Sequence, residues 1–143
     1  AESFGILSPA DASPRPAFRT WQMINERFND VSSASFNQTD NIDAVQLLHA
    51  TGQQSLVAWS RIDANATIDI SASGGKAYLL DAYGNITVLF PVDGVYTLNL
   101  LPARCEEGEG CFLGGAVAIL IQAQSNTTVR DVTADNPTIL DFN

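Results

Sequence analysis

From Ala34 onward, apolar residues recur at every second position in short runs, and glycine-bearing turn signals separate the runs. No other feature constrains the fold as tightly. A period of two sends one side of each run toward a core and the other toward water, the pattern of a strand buried on one face. The pattern predicts strands at Ala34–Gln38, Ala44–His49, Ser55–Arg61, Thr67–Ser71 and Ala77–Ala82. It continues through Ile86–Phe90, Tyr96–Leu100, Val117–Gln122, Thr127–Val132 and Thr138–Phe142. Ile68 and Ile70 flank Asp69, and Tyr96, Leu98 and Leu100 alternate with Thr97 and Asn99. Thr51-Gly52, Gly74-Gly75, Gly84-Asn85, Asp93-Gly94 and Gly114-Gly115 mark turns, and Asp93-Gly94 between Phe90 and Tyr96 predicts a hairpin. Strands recurring every ~8–12 residues with such turns imply an antiparallel β-sandwich. The expected class is all-β.

One helix precedes the strands. Ser13-Pro14-Arg15-Pro16 places an N-cap residue ahead of prolines suited to a first helical turn. Phe18, Trp21, Ile24 and Phe28 then follow at helical spacing, predicting an amphipathic helix of about four turns that ends near Asp30. Residues 1–33 read as a lead-in and helix, and 34–143 as the sandwich, with the helix packed on it in a single domain. Burying each large apolar side chain is worth ~1.5–3 kcal/mol, so the stripe is expected to pack on its own sandwich or on another chain.

The chain has 143 residues and a formal charge of −9, enough for one core and poorly suited to nucleic acid or an anionic membrane. No apolar run approaches the ~18–20 residues of a membrane span, so no membrane insertion is expected. No signal segment opens the sequence, so a secreted form is expected to be an already processed one.

Cys105 and Cys111 enclose a five-residue segment containing two glycines, which lets the chain fold back. The spacing suits neither a metal site nor a redox pair, so a small-loop disulfide and an oxidising compartment are expected, against the alternative of two neighbouring free thiols. Asn37, Asn65, Asn85 and Asn126 each open an acceptor triplet for N-glycosylation, although Asn and Thr are also common in turns and strands. Together these place the protein outside the cell, secreted or on a surface.

Catalytic chemistry is sparse. The single histidine, His49, falls at a strand end and reads as structural. Gly74-Gly75 and Gly114-Gly115 lack the lysine and helix of a phosphate loop. Glu106, Glu107 and Glu109 cluster in the cysteine loop, and Asp40 and Asp43 precede a strand. A polar, glycine-rich loop leaves its carboxylates wet, which suits a solvated loop or a weak calcium site better than a general acid. No cofactor and no dedicated metal site are expected. Aromatic platforms for a sugar would come from Tyr83, beside a turn, or from Trp59, which shares a strand face with Val57 and also suits the core. Tyr78 alternates toward the same side as Leu80 and reads as core; Trp21 belongs to the helix stripe. Ile139, Leu140 and Phe142 follow Pro137 in a strand-like terminus that could pair with an open edge, its own or a neighbour's.

Several of these segments together resemble a known arrangement. Gly5-Ile6-Leu7, Pro14-Arg15-Pro16-Ala17-Phe18 and the helix through Trp21 are similar to the last βα unit of a glycoside hydrolase (β/α)8 barrel. Ser55-Leu56-Val57-Ala58-Trp59-Ser60 and Leu80-Asp81-Ala82-Tyr83-Gly84-Asn85 resemble a strand and a turn of the β-sandwich that follows such barrels. Val95–Leu100 and Val117–Leu120 look like its last strands, so the likeness spans roughly Gly5 to Gln122. The resemblance implies the accessory part of a secreted bacterial glycosidase. The catalytic carboxylates of that family stand at barrel strands this chain lacks, so none carries over and no enzymatic activity is expected.

The expected function is that of a non-catalytic extracellular module in structure or self-assembly, a filament or surface-layer subunit joined through its terminal segments. Phe18, Trp21, Ile24, Phe28, Ile139, Leu140 and Phe142 are its candidate contacts, and the partner is another copy in an oligomer or polymer. The alternative is a carbohydrate-binding accessory module that meets a polysaccharide through Tyr83 and Trp59.

Overall fold

The structure, a computed structural model, describes residues 6–8, 10–106, 110–123 and 127–142, and of residues 105, 106 and 110–113 the backbone alone. One helix, α1 (Pro16–Arg27), is followed by β1 (Val31–Gln38), β2 (Ile42–His49), β3 (Gln54–Ser60), β4 (Ala66–Ser71), β5 (Ala77–Leu80) and β6 (Ile86–Leu89). The chain continues through β7 (Val95–Leu100), β8 (Arg104–Glu106), β9 (Gly110–Leu113), β10 (Ala118–Gln122), β11 (Val129–Asp131) and β12 (Thr138–Leu140). A six-stranded sheet, in the order β1-β2-β3-β10-β5-β6, and a four-stranded sheet, β12-β11-β4-β7, are both antiparallel throughout. The all-β sandwich expected from the alternation is the fold.

The inner faces supply one apolar cluster. Ala44, Leu56, Ala58, Ala77 and Leu120 from the six-stranded sheet meet Ile68, Ile70, Tyr96, Leu98, Leu100, Val129 and Leu140 from the other. Small residues answer large ones across the gap, as close packing requires. Ala44, Ala58 and Ala118 stand in register across β2, β3 and β10. On the opposite face of the four-stranded sheet, Thr97 donates to Asp69 and Thr67 to Asn99, so that face is polar and wet.

A second cluster lies on the outer face of the six-stranded sheet, where Leu80, Ile119 and Ile121 meet Met23 of α1, with Phe28, Val57 and Val117 packed around them. The molecule thus has three layers, with α1 covering part of one sheet. Thr20 Oγ1 donates to the Ala82 carbonyl at 2.6 Å, tying the helix to the β5–β6 turn. At Gly84 in that turn, φ is +82° and an added Cβ would stand 3.1 Å from Met23 Cγ, so both backbone conformation and helix contact call for glycine.

Several expectations are corrected. α1 is shorter than its pattern and starts at Pro16, with Arg15 as an N-cap that makes no side-chain cap. Ser13 instead donates through its amide and hydroxyl to Asp11 in the lead-in, a competing local pairing open to short polar side chains. Met23 is the buried helix residue, while Trp21 and Ile24 are 53% and 47% exposed, so the middle of the predicted stripe faces away from the sandwich and its ends, Phe18 and Phe28, are half-buried. The helix meets the sheet on a line through Thr20, Met23 and Phe28, with Thr20 bonded to Ala82 and Met23 against Gly84 in the β5–β6 turn. Asp93 and Gly94 form the predicted turn, with φ of +49° and +75° and paired bonds between Val92 and Val95. The strands on either side nevertheless separate into different sheets, so that turn is a crossover and not a hairpin. Tyr78 shares its side with Leu80 as read, but that side is the outer face, where α1 covers Leu80 and leaves Tyr78 39% exposed. The β8–β9 hairpin lies in a segment the alternation left as loop.

Candidate functional site

Beside the C-terminal half of α1, the outer face of the six-stranded sheet is open as a trough of about 580 Å³. Its floor is Tyr78 of β5, Ile86 of β6 and Ile121 of β10, side chains that alternation sends outward; Ile121 is buried with Met23 under the edge of the helix, and Tyr78 and Ile86 are left exposed. One wall is the end of α1 and the turn after it, contributing Glu26, Arg27, Asn29 and Asp30. Thr51 and Gln53 of the β2–β3 turn, next to Asp30 through the bond from the Ala50 amide to the Asp30 carbonyl, complete the lining. Lys76 reaches over the Tyr78 ring, with Nζ 5.5 Å from its centroid.

Two of the wall carboxylates are held in place. Gln22 Nε2 donates to Glu26 Oε1 at 2.9 Å, one helical turn earlier. Asp30 is fixed from beneath: its Oδ1 lies 2.6 Å from His49 Nδ1, and His49 Nε2 lies 2.8 Å from Ser55 Oγ. His49 also packs against Phe28, ring centroids 5.9 Å apart, and the Ala50 amide donates to the Asp30 carbonyl. The sequence brings this about simply. Asp30 ends the helix connection, His49 ends β2, and Ser55 opens β3 on the outward side shared with Val57.

The three residues have the connectivity of a serine-hydrolase triad, but their accessibility runs the other way. A nucleophilic serine must face substrate while its carboxylate sits behind. Here Ser55 is wholly buried and His49 is 3% exposed, whereas the Asp30 side chain is 40% exposed. The relay can orient a carboxylate toward the trough. It offers no nucleophile to it. His49 is the structural strand-end residue its position suggested, with partners that only the fold could name.

The sugar-platform candidates are not brought together. Tyr83 is 60% exposed at the β5–β6 turn, its amide donating to Asp81. Trp59 is half-buried, and a Cβ at Gly114 would lie 2.3 Å from its Cδ1, so this ring is packed against the loop before β10. Neither lines the trough. Of the assembly candidates, Phe28 packs into the cluster under the helix and Phe18 is half-buried against Trp21, centroids 5.9 Å apart. Leu140 is buried in the main core with Phe142 partly packed on it, and Ile139 is 63% exposed. β12 pairs with β11 of its own chain, Val129 opposite Leu140 and Asp131 opposite Thr138.

Asn65 stands exposed in the turn before β4, while the Asn37 amide donates to the Asp141 carbonyl and the Asn85 amide to Asp81 Oδ2. The Asn85 bond is the largest of the contacts that hold the Asp81 carboxyl below its usual pKa. Asn126, Glu107 and Glu109 lie outside the described residues, as do the side chains of Cys105, Cys111 and Glu106. In the hairpin they belong to, Glu106 pairs with Gly110. Asp43 bonds Gln38 and lies 3.5 Å from Arg61 Nε, and Asp40 is exposed in the β1–β2 turn. Among the described residues no group of three His, Cys, Asp or Glu side chains is placed to hold a metal.

No family model matches this chain, and no curated protein matches it.

Proposed function

We propose that the chain is a non-catalytic β-sandwich module that works by association with further copies of itself, as a subunit of an extracellular assembly. The observation that carries this reading is the flank of α1. Trp21 and Ile24 stand 53% and 47% exposed on a helix already anchored from its other side by Met23. Ile6 and Leu7, at 42% and 43%, are also exposed, in a lead-in folded back by the Arg15 amide on the Ile6 carbonyl. Edge strand β6 adds Val88, followed by Phe90 and Val92, the last two more than 70% exposed. Such apolar surface on two separate elements favours a head-to-tail contact between copies, which propagates when it does not close. The reversed accessibility of Asp30, His49 and Ser55 supports the non-catalytic part.

The joining surface in this reading shifts from the C-terminal strand toward the helix flank, since Leu140 is already used by its own core. Light scattering on the purified chain is expected to give a mass well above 15.3 kDa. Trp21→Asp, a change at an exposed site, is expected to return a monomer with an unchanged thermal midpoint. A wild-type monomer at high concentration would overturn the proposal. The extracellular placement adds that Cys105 and Cys111 are joined, so the native chain should yield no thiol to a thiol reagent; two titratable thiols would contradict it.

A further inference from the structure

The trough beside α1 has the chemistry of a ligand site, and its lining selects the ligand. The floor offers one broad aromatic face, Tyr78, flanked by Ile86 and Ile121. The walls present two carboxylates as acceptors, Arg27 as donor, and Asn29 and Gln53 as both. An anion is disfavoured by Glu26 and Asp30 and by a chain charge of −9. An organic cation is disfavoured by like charge, from Arg27 in the wall and from the Lys76 ammonium beside the Tyr78 ring. An apolar molecule would strand the wall groups without partners. What remains is a neutral molecule with a flat C–H face and a rim of hydroxyls that each donate and accept. A pyranose has this shape, and about 580 Å³ falls within the range of about 300–1,000 Å³ typical of small-molecule sites.

We infer that this trough is a binding site for a neutral oligosaccharide, with a sugar ring stacked on Tyr78 and its hydroxyls bonded to Glu26, Asn29, Asp30 and Gln53. Preorganisation supports it. Glu26 is held by Gln22 and Asp30 by the buried His49–Ser55 pair, so binding does not have to order these carboxylates. Lys76 is exposed, and its contact with the ring is weak for such a pair, so a stacked sugar displaces the ammonium toward the ring edge, where it can donate to a hydroxyl. This places the site away from Tyr83 and Trp59.

The test is titration of the full chain, followed by NMR, with neutral gluco-, manno-, xylo- and galacto-oligosaccharides of three to six units, and with oligogalacturonate and choline as charged controls. At least one neutral series is expected to shift the resonances of Tyr78, Ile86 and Ile121. Tyr78→Ala is expected to weaken that binding about tenfold or more, while Tyr78→Phe, which keeps the ring, stays within about threefold. Tyr83→Ala should leave it unchanged. The inference is overturned if no neutral series binds, if a charged control binds more tightly, or if a Tyr78→Ala chain with wild-type amide dispersion binds as well as the parent. Because Trp21→Asp tests association without touching the trough, failure of one proposal is distinguishable from failure of the other.

Discussion

Asp131 shows how a single residue closes one end of the sandwich. Its side chain is 3% exposed, and it accepts bonds from Thr39 Oγ1 at 2.6 Å, Asn41 Nδ2 at 2.9 Å and the Thr133 amide at 3.0 Å. These join the β1–β2 turn to β11, one sheet to the other. Burial works to raise the carboxyl pKa, but the bonds from Thr133, Thr39 and Asn41 outweigh it and hold the group below its usual value. A depressed folded pKa means the charged form is the one the fold favours. The stabilisation is therefore complete above the ordinary value of 3.8 and is lost as pH falls through the lower folded value. Asp131→Asn is expected to cost about 1–3 kcal/mol at neutral pH, and the difference from wild type should shrink in acid. Urea unfolding at pH 7 and pH 2.5 measures both; an equal gap at the two pH values would contradict the charge-based account.

At the scale of elements, α1 divides its apolar residues between two tasks. Met23 and Phe28 bind it to Leu80, Ile119 and Ile121, and Thr20 adds a hydrogen bond to Ala82. Trp21 and Ile24 contribute little to that anchoring. Met23→Ala should lower stability by about 2–4 kcal/mol, in the range for truncating a buried Met, and should loosen the trough wall that α1 forms. Trp21→Ala should change monomer stability by under about 0.5 kcal/mol, as exposed substitutions do. If Trp21→Ala proved the more damaging in a monomeric background, the assignment of the two faces would be reversed. The stripe itself was legible in the sequence. Its direction was not, because apolar periodicity marks the residues that avoid water without saying which surface covers them.

For the whole molecule, the decisive arrangement is that the helix before the strands and the last strand are tied to the same sandwich. α1 covers one sheet and β12 extends the other, with Leu140 in the central cluster. Removing residues 138–143 would bare β11 as an edge and open the core beneath Leu140. A loss of about 2–5 kcal/mol and a tendency to aggregate are expected, followed by chemical unfolding and light scattering. Donation of this strand between copies predicts the opposite, a well-folded monomer replacing a polymer. The same truncation therefore separates assembly through the terminus from assembly through the helix flank.

What the sequence determined by itself was set by local rules. Alternation placed most strands within a residue or two, since period two is a property of each segment, and Asp93-Gly94 formed its turn because both residues accept positive φ. Cross-sheet partners, by contrast, depend on long-range packing, so that turn became a crossover and β6 and β7 went to different sheets. Tyr78 could be assigned a side but not an exposure; α1 ends its cover between Leu80 and Tyr78, and only the tertiary structure fixes where a helix lies. His49 was visible as a strand-end histidine, yet its partners Asp30 and Ser55 come from the helix connection and the next strand, and no spacing rule joins them. Local chemistry decided the elements and their faces. The trough, the relay beneath it and the uncovered helix flank exist only where those faces fail to cover one another.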